Sequence, residues 1–133
     1  TIMIVKLTEF DRPNRNDRIY SKEILENAIK ELSEKTILGE VFPEYNNDPV
    51  RVATVKFANV GFEIEEFIFD DENKVLNGKI KILKTPSGTT LKEFLERDEI
   101  YFALRGMGDF KLGTKEISEL KLITFDAIFK KEK

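Results

Sequence analysis

Lys74-Val75-Leu76-Asn77-Gly78-Lys79-Ile80-Lys81-Ile82-Leu83-Lys84 decides the fold class. Successive side chains of a strand point to opposite faces, so Val75, Asn77, Lys79 and Lys81 fall on one side and Leu76, Gly78, Ile80 and Ile82 on the other. One side is mainly polar and the other mainly apolar, as in a strand with one face against a core. Just upstream, Asp70-Asp71-Glu72-Asn73 reads as a polar turn. Before it, from Val50 onward, Val52, Ala53, Val55, Phe57 and Val60 read as strand, followed after Gly61 by Phe62, Ile64, Phe67 and Phe69.

Working outward, Ile2-Met3-Ile4-Val5 opens a first strand, and Asp11 to Asp17, with Pro13, reads as a loop. Ser21 is an N-cap, and Ile24, Leu25, Ala28, Ile29 and Leu32 recur at helical spacing, which predicts a helix near residues 21–34. Thr36 to Phe42 is a short strand stopped by Pro43, and Glu44 to Pro49 a loop. Thr85-Pro86-Ser87-Gly88 breaks the chain before a second helix, near residues 87–97, with Leu91, Phe94 and Leu95 on its apolar side. Ile100 to Leu104 is again strand-like and is expected to end in a glycine-permitted tight turn at Arg105-Gly106-Met107-Gly108. Glu116 to Phe129 forms one strand or two short ones, and the charged tail from Lys130 is expected to fray.

Six or seven strands and two helices in 133 residues predict a single α+β domain over residues 1–133, a mostly antiparallel, barrel-like sheet with two flanking helices. The 11 phenylalanines supply much of its core.

Composition excludes several chemistries. There is no cysteine, so disulfides, thiolate catalysis and cysteine zinc sites are absent. There is no histidine either, which removes the commonest general base and metal ligand and any Ser–His dyad. The 22 basic residues are outnumbered by 25 acidic ones and interspersed with them, a poor footprint for nucleic acid. Thr1 to Thr8 is apolar but short, with no basic flank or small-residue cleavage site, so neither a signal peptide nor a membrane span is expected.

Six segments, in order, resemble the prohead core (capsid maturation) serine protease family of myovirus-type tailed phages. Asn14 to Leu25 resembles the family's NRNxRxYPKxxLExA segment, and Leu38-Gly39-Glu40 its LGEL run. Val75 to Ile80 resembles the VxGxxxI strand, and Leu83 to Leu95 the TPxGxxLxxLL helix entry. Arg105-Gly106-Met107-Gly108 resembles SSRGLG, and Leu122 to Ala127 the closing FDAV-type strand. The resemblance implies the closed β-barrel flanked by helices shared with herpesvirus maturation proteases. It also implies a place in the assembling phage head, cutting scaffold and capsid proteins.

The departures bear directly on activity. Active members carry a histidine after the GEL run, in GELxHP; here Phe42 stands at or beside that position, before Pro43. Active members carry the nucleophilic serine just before RGxG; here Ala103 and Leu104 precede Arg105. Asp126 survives without partners. The expected function is therefore that of a non-catalytic relative: a protein-binding component of head assembly, or a regulator or inhibitor of an active maturation protease. Two alternatives stand beside it, a phage accessory protein that binds a host or anti-phage defence component, and a hydrolase with an atypical site. The cleft around Phe42, Ala103 and Asp126 is expected to be drier and better packed than in an enzyme.

Binding candidates each have a structural counterpart. Arg15 and Arg18 either contact a ligand or brace their turn. The amides of Arg105, Gly106 and Gly108, which in active relatives form an oxyanion hole, either keep an anion site or simply make a turn. Asp70 to Asn73 lacks the calcium-loop pattern and Thr85 to Thr90 lacks a phosphate-loop pattern, so they read as a hairpin turn and a helix cap. No cofactor or metal is expected. The expected partners are capsid or scaffold proteins, an active protease, a host protein or a second copy of the chain, in the host cytoplasm or the phage head.

Overall fold

The computed structural model describes residues 1–32 and 36–131. Strand β1 (Ile2–Glu9) leads to helix α1 (Lys22–Lys30), β2 (Ile37–Glu40), a four-residue helix α2 (Pro49–Val52) and a 3-10 turn at Phe57–Asn59. Then come β3 (Val60–Asp70), β4 (Val75–Ile82), helix α3 (Pro86–Glu96), β5 (Ile100–Phe110) and β6 (Ile117–Phe129). The architecture is α+β with antiparallel sheets. No helix among the described residues is long and apolar enough to cross a membrane.

β3 and β4 form the hairpin read from the sequence, turning at Asp70 to Lys74, where Asp70 accepts a hydrogen bond from the Asn73 N–H. Leu76, Ile80 and Ile82 face the core, as the alternation requires. β1 pairs with β4 and β2 with β3, giving a sheet of order β1-β4-β3-β2. β5 and β6 form a separate two-stranded ribbon laid across it. Aromatic rings tie the layers: Phe62 of β3 meets Phe102 of β5 edge-on at 5.3 Å, and Phe67 lies 6.1 Å from Phe125 of β6. Gly39 is required under this contact, because a Cβ there would collide with the Phe62 ring.

Ser21 caps α1 by accepting from the Ile24 N–H, and Thr85 caps α3 by accepting from Gly88. Residues 33 and 34, included in the expected first helix, and the last two residues of the tail lie outside the described residues.

Three expectations are corrected. First, among the described residues the strands do not close into a barrel. Phe42 takes a left-handed backbone conformation, φ 54°, which turns the chain out of β2 after only four strand residues. Among the described residues β2 and β6 form no ladder and are joined by the backbone bridge Val41–Ala127 and by the Thr124 hydroxyl, which donates to the Leu38 carbonyl at 2.7 Å. At the other side β1 and β5 approach each other without forming a ladder among the described residues, and both line an open groove.

Second, residues 50–59 are not a strand. Asp48 accepts from the Val50 and Arg51 N–H groups and Pro49 occupies the first turn, so a capped helix wins over the β-branched valines. Val50 and Phe57 end up exposed, at 72% and 78%.

Third, Arg105 to Gly108 is not a tight turn. It continues β5 through a bulge into a hairpin that turns at residues 111–115. Gly106 and Gly108 are there because β6 approaches closely; a Cβ on Gly106 would lie 2.6 Å from the Lys121 carbonyl oxygen.

Candidate functional site

β2, β5 and β6 each end or pass beside one buried point, and each contributes a charged side chain to it. Glu40, the last residue of β2, is fully buried. Arg105 of β5 places Nη2 2.6 Å from Glu40 Oε2 and 3.2 Å from Asp126 Oδ1 of β6. Arg105 Nη1 donates to the Thr54 carbonyl at 2.9 Å, which ties the segment after α2 to the sheet.

Arg51, on α2, grips Glu40 with both terminal nitrogens, at 2.6 and 3.0 Å. Asn59 and the Lys56 N–H also donate to Glu40. Tyr45 completes the group: its hydroxyl donates to Asp126 Oδ2 and its ring lies under the Arg105 guanidinium, 4.9 Å away. Two guanidinium groups thus face two carboxylates, and the segment 43–59 is held over the ribbon through them.

Charge states follow from the surroundings. Burial disfavours the charge on Glu40, but Arg51 and Arg105, with Asn59 and the Lys56 amide, overcome it and hold the carboxyl down at about 2. Asp126 behaves oppositely. Burial pushes it up to about 6, against the pull of the Tyr45 hydrogen bond and the Arg105 charge. Burial, then the Asp126 charge beside it, raises the Tyr45 hydroxyl, so the phenol stays protonated and donates.

The residues singled out in the sequence fall in three places. Ala103 lies opposite Asp126 in the β5–β6 ladder, and Leu104 opposite Phe125. The Phe42 N–H donates to the Ala127 carbonyl at 2.9 Å, which brings all three strands of the expected cleft together. The Phe42 side chain packs edge-on against Phe94 at 5.2 Å and near Phe129 at 6.1 Å. The cleft is not apolar throughout: a three-ring cluster occupies one side and the ion network the other. Arg105 belongs to that network, and Gly106 and Gly108 are strand positions beyond it. Arg15 and Arg18 are elsewhere, stacked over Tyr101 at 4.0 Å and Phe110 at 5.8 Å, while Asn14 braces their turn by accepting from the Asn16 and Arg18 N–H groups.

Glu40, Tyr45 and Arg51 were not foreseen as site residues. Glu40 did carry a signal, a carboxylate inside the apolar run Leu38 to Phe42, which when buried must find cations. Chemically the site can hold a fixed, neutral cluster of charges. Among the described residues of the cluster the hydroxyl is that of Tyr45, which donates to Asp126, and the chain contains no imidazole.

The sequence model of a family described as prohead core protein serine protease matches residues 7–125. Among solved structures, the chain is similar to the bacteriophage T4 capsid assembly protease, with a TM-score of 0.76 at 22% identity, over 96% of this chain and 81% of that one. No curated protein matches the sequence.

Proposed function

The chain belongs to the prohead core serine protease family, and from that premise we propose that it is a non-catalytic member that works by binding protein during phage head assembly. The observation that carries this reading is the pair of replacements at the reacting centre. Phe42, at or beside the position of the family's histidine, is locked among aromatic rings. Ala103 and Leu104 stand where the nucleophile would precede Arg105, and the chain has no histidine to serve as base from anywhere else. A serine protease without hydroxyl and base retains no route to an acyl-enzyme.

What the fold keeps is architecture. The Glu40–Arg105–Asp126 cluster draws on three of the family-like segments, the LGE run, the RGMG run and the closing FDA strand. Their retention in a chain without the reacting groups supports a structural role for them. Binding partners of the expected kind are the capsid or scaffold proteins on which the family acts, or an active protease that this chain regulates, in the host cytoplasm or the phage head. The test is co-purification of the tagged chain from infected cells. Recovery of head proteins or of an active protease in fixed ratio is the expected result; recovery of host proteins alone would shift the reading to an accessory protein.

A further inference from the structure

Helix α1 packs against β6 of the two-stranded ribbon, and beyond that contact the ribbon runs on exposed from Met107 to Lys115. Between helix and ribbon lies an open groove of about 610 Å³. One wall is a single stripe of α1: Ile24, Asn27 and Glu31, three and four residues apart, share a face and span about 10 Å. The ribbon forms the other wall, from Met107 to Asp109 and from Ser118 to Lys121. Ile24 and Leu120 give the groove apolar surface continuous with the core, and Met107 extends it with a side chain 40% exposed.

Charge sets the kind of ligand. Asp109 and Glu119 stand directly opposite each other in the β5–β6 ladder, and like charges so placed repel. Glu31 adds a third carboxylate from the α1 wall, against one ammonium group, that of Lys121. Among the described residues none of these four side chains forms an ion pair. A cation placed between Asp109 and Glu119 turns their repulsion into two charge-assisted contacts. A bare metal ion or small amine would leave Ile24, Met107 and Leu120 in water, whereas a ligand that joins a cation to an apolar side chain covers them as well.

We propose that this groove seats a short basic amphipathic helix of a partner protein, with Lys or Arg on the Asp109–Glu119 pair and an apolar side chain against Ile24, Met107 and Leu120. A helix suits the seat because the groove runs beside α1: two turns of a second helix match the stripe from Ile24 to Glu31, and anchors at helical spacing meet it along its length. The proposal rests on the protein-binding reading above and names the chemistry of the partner segment.

The experiment is selection of a displayed library of short helices, randomised on one face, on the purified chain, followed by binding of a fluorescent synthetic copy of the leading clone. The expected clones set Lys or Arg beside Leu, Ile, Met or Phe at helical spacing. Their binding shifts the amide NMR signals of Ile24, Asn27, Met107 and Glu119, weakens with added salt, weakens about tenfold or more in Asp109→Lys, as loss of a charge-assisted pair requires, and disappears when proline is set in the middle of the peptide. Asp109→Asn combined with Glu119→Gln removes the repelling pair, so this variant is expected to melt no lower than the parent while losing affinity, which separates the groove from the fold. Acidic or unpatterned clones, signals shifted elsewhere, parent-like affinity in Asp109→Lys, undiminished binding of the proline peptide, or no enrichment would overturn it. A head protein that binds Asp109→Lys as well as the parent would sink the groove and leave the protein-binding reading standing. Basic helices bound in the groove, with no head protein associating in cells, would do the reverse.

Discussion

Arg105 and Glu40, 65 positions apart in the chain, meet through a 2.6 Å ion pair from which solvent is excluded. Such a pair is costly to leave half-made: removing one partner strands the other charge in a low-dielectric interior. Glu40→Ala leaves both Arg105 and Arg51 without their main acceptor and is expected to destabilise the domain by about 3–5 kcal/mol, measured by urea unfolding. Adding Arg105→Met to that variant should cost much less than the two single changes summed. Strict additivity would show that the pair is not coupled.

Acid stability follows from two carboxyls displaced in opposite directions. Asp126 is raised from 3.8 to about 6, so the folded chain binds its proton more tightly than the unfolded chain does. Its contribution is full below about pH 4 and lost as the pH rises through 6. Glu40 is lowered from 4.5 to about 2, so its contribution is full above about pH 4.5 and lost as the pH falls towards 2. Melting is expected to peak between roughly pH 4 and 6, with each flank worth on the order of 2–3 kcal/mol. A melting temperature that falls steadily from pH 7.5 to 5 would contradict this, and Asp126→Asn should abolish the gain between those values.

Tyr45 gives a sharper check on the same site. Its hydroxyl donates to Asp126 and so favours the ionised carboxylate. Tyr45→Phe removes that donor while keeping the ring against Arg105. The midpoint of the Asp126 titration, followed by carboxyl carbon NMR, should move upward; an unchanged midpoint would mean that the phenol does not hold the carboxylate.

Restoring the missing groups should not restore an enzyme. Phe42 combines a left-handed backbone with ring contacts to Phe94 and Phe129. Phe42→His together with Ala103→Ser exchanges those contacts for polar groups in a packed region, at a cost of about 1–3 kcal/mol. A thermal melt and a scaffold-cleavage assay on the double variant read both consequences. A variant as stable as its parent that cuts scaffold would mean the cleft was intact all along.

The sequence was most legible where order is local. The two-residue alternation over Val75 to Ile82 and the caps at Ser21 and Thr85 need only near neighbours, and they appear as read. At Asp48-Pro49 two local signals compete, a cap against β-branched valines, and the cap prevails. Arg105 to Gly108 reads as turn or strand depending on β6 residues far along the chain, a pairing that spacing alone does not reveal. The charge cluster was hidden for the same reason. Glu40 announces a need for cations, but Arg51, Arg105 and Asp126 reach it only through the fold, and Tyr45 lies in a loop with no periodicity to mark it.

The central claim is absence of hydrolysis in a folded family member, and one measurement addresses it directly. Purified chain, shown to be folded by its melting transition, is incubated with the scaffold protein of its phage and with a serine-directed fluorophosphonate, and the products are weighed by mass spectrometry. The account predicts intact scaffold and an unmodified chain, because Ala103 and Leu104 precede Arg105 and the chain has no histidine to serve as base. Scaffold cut at defined sites, or stoichiometric labelling of a single Ser or Thr, would contradict it.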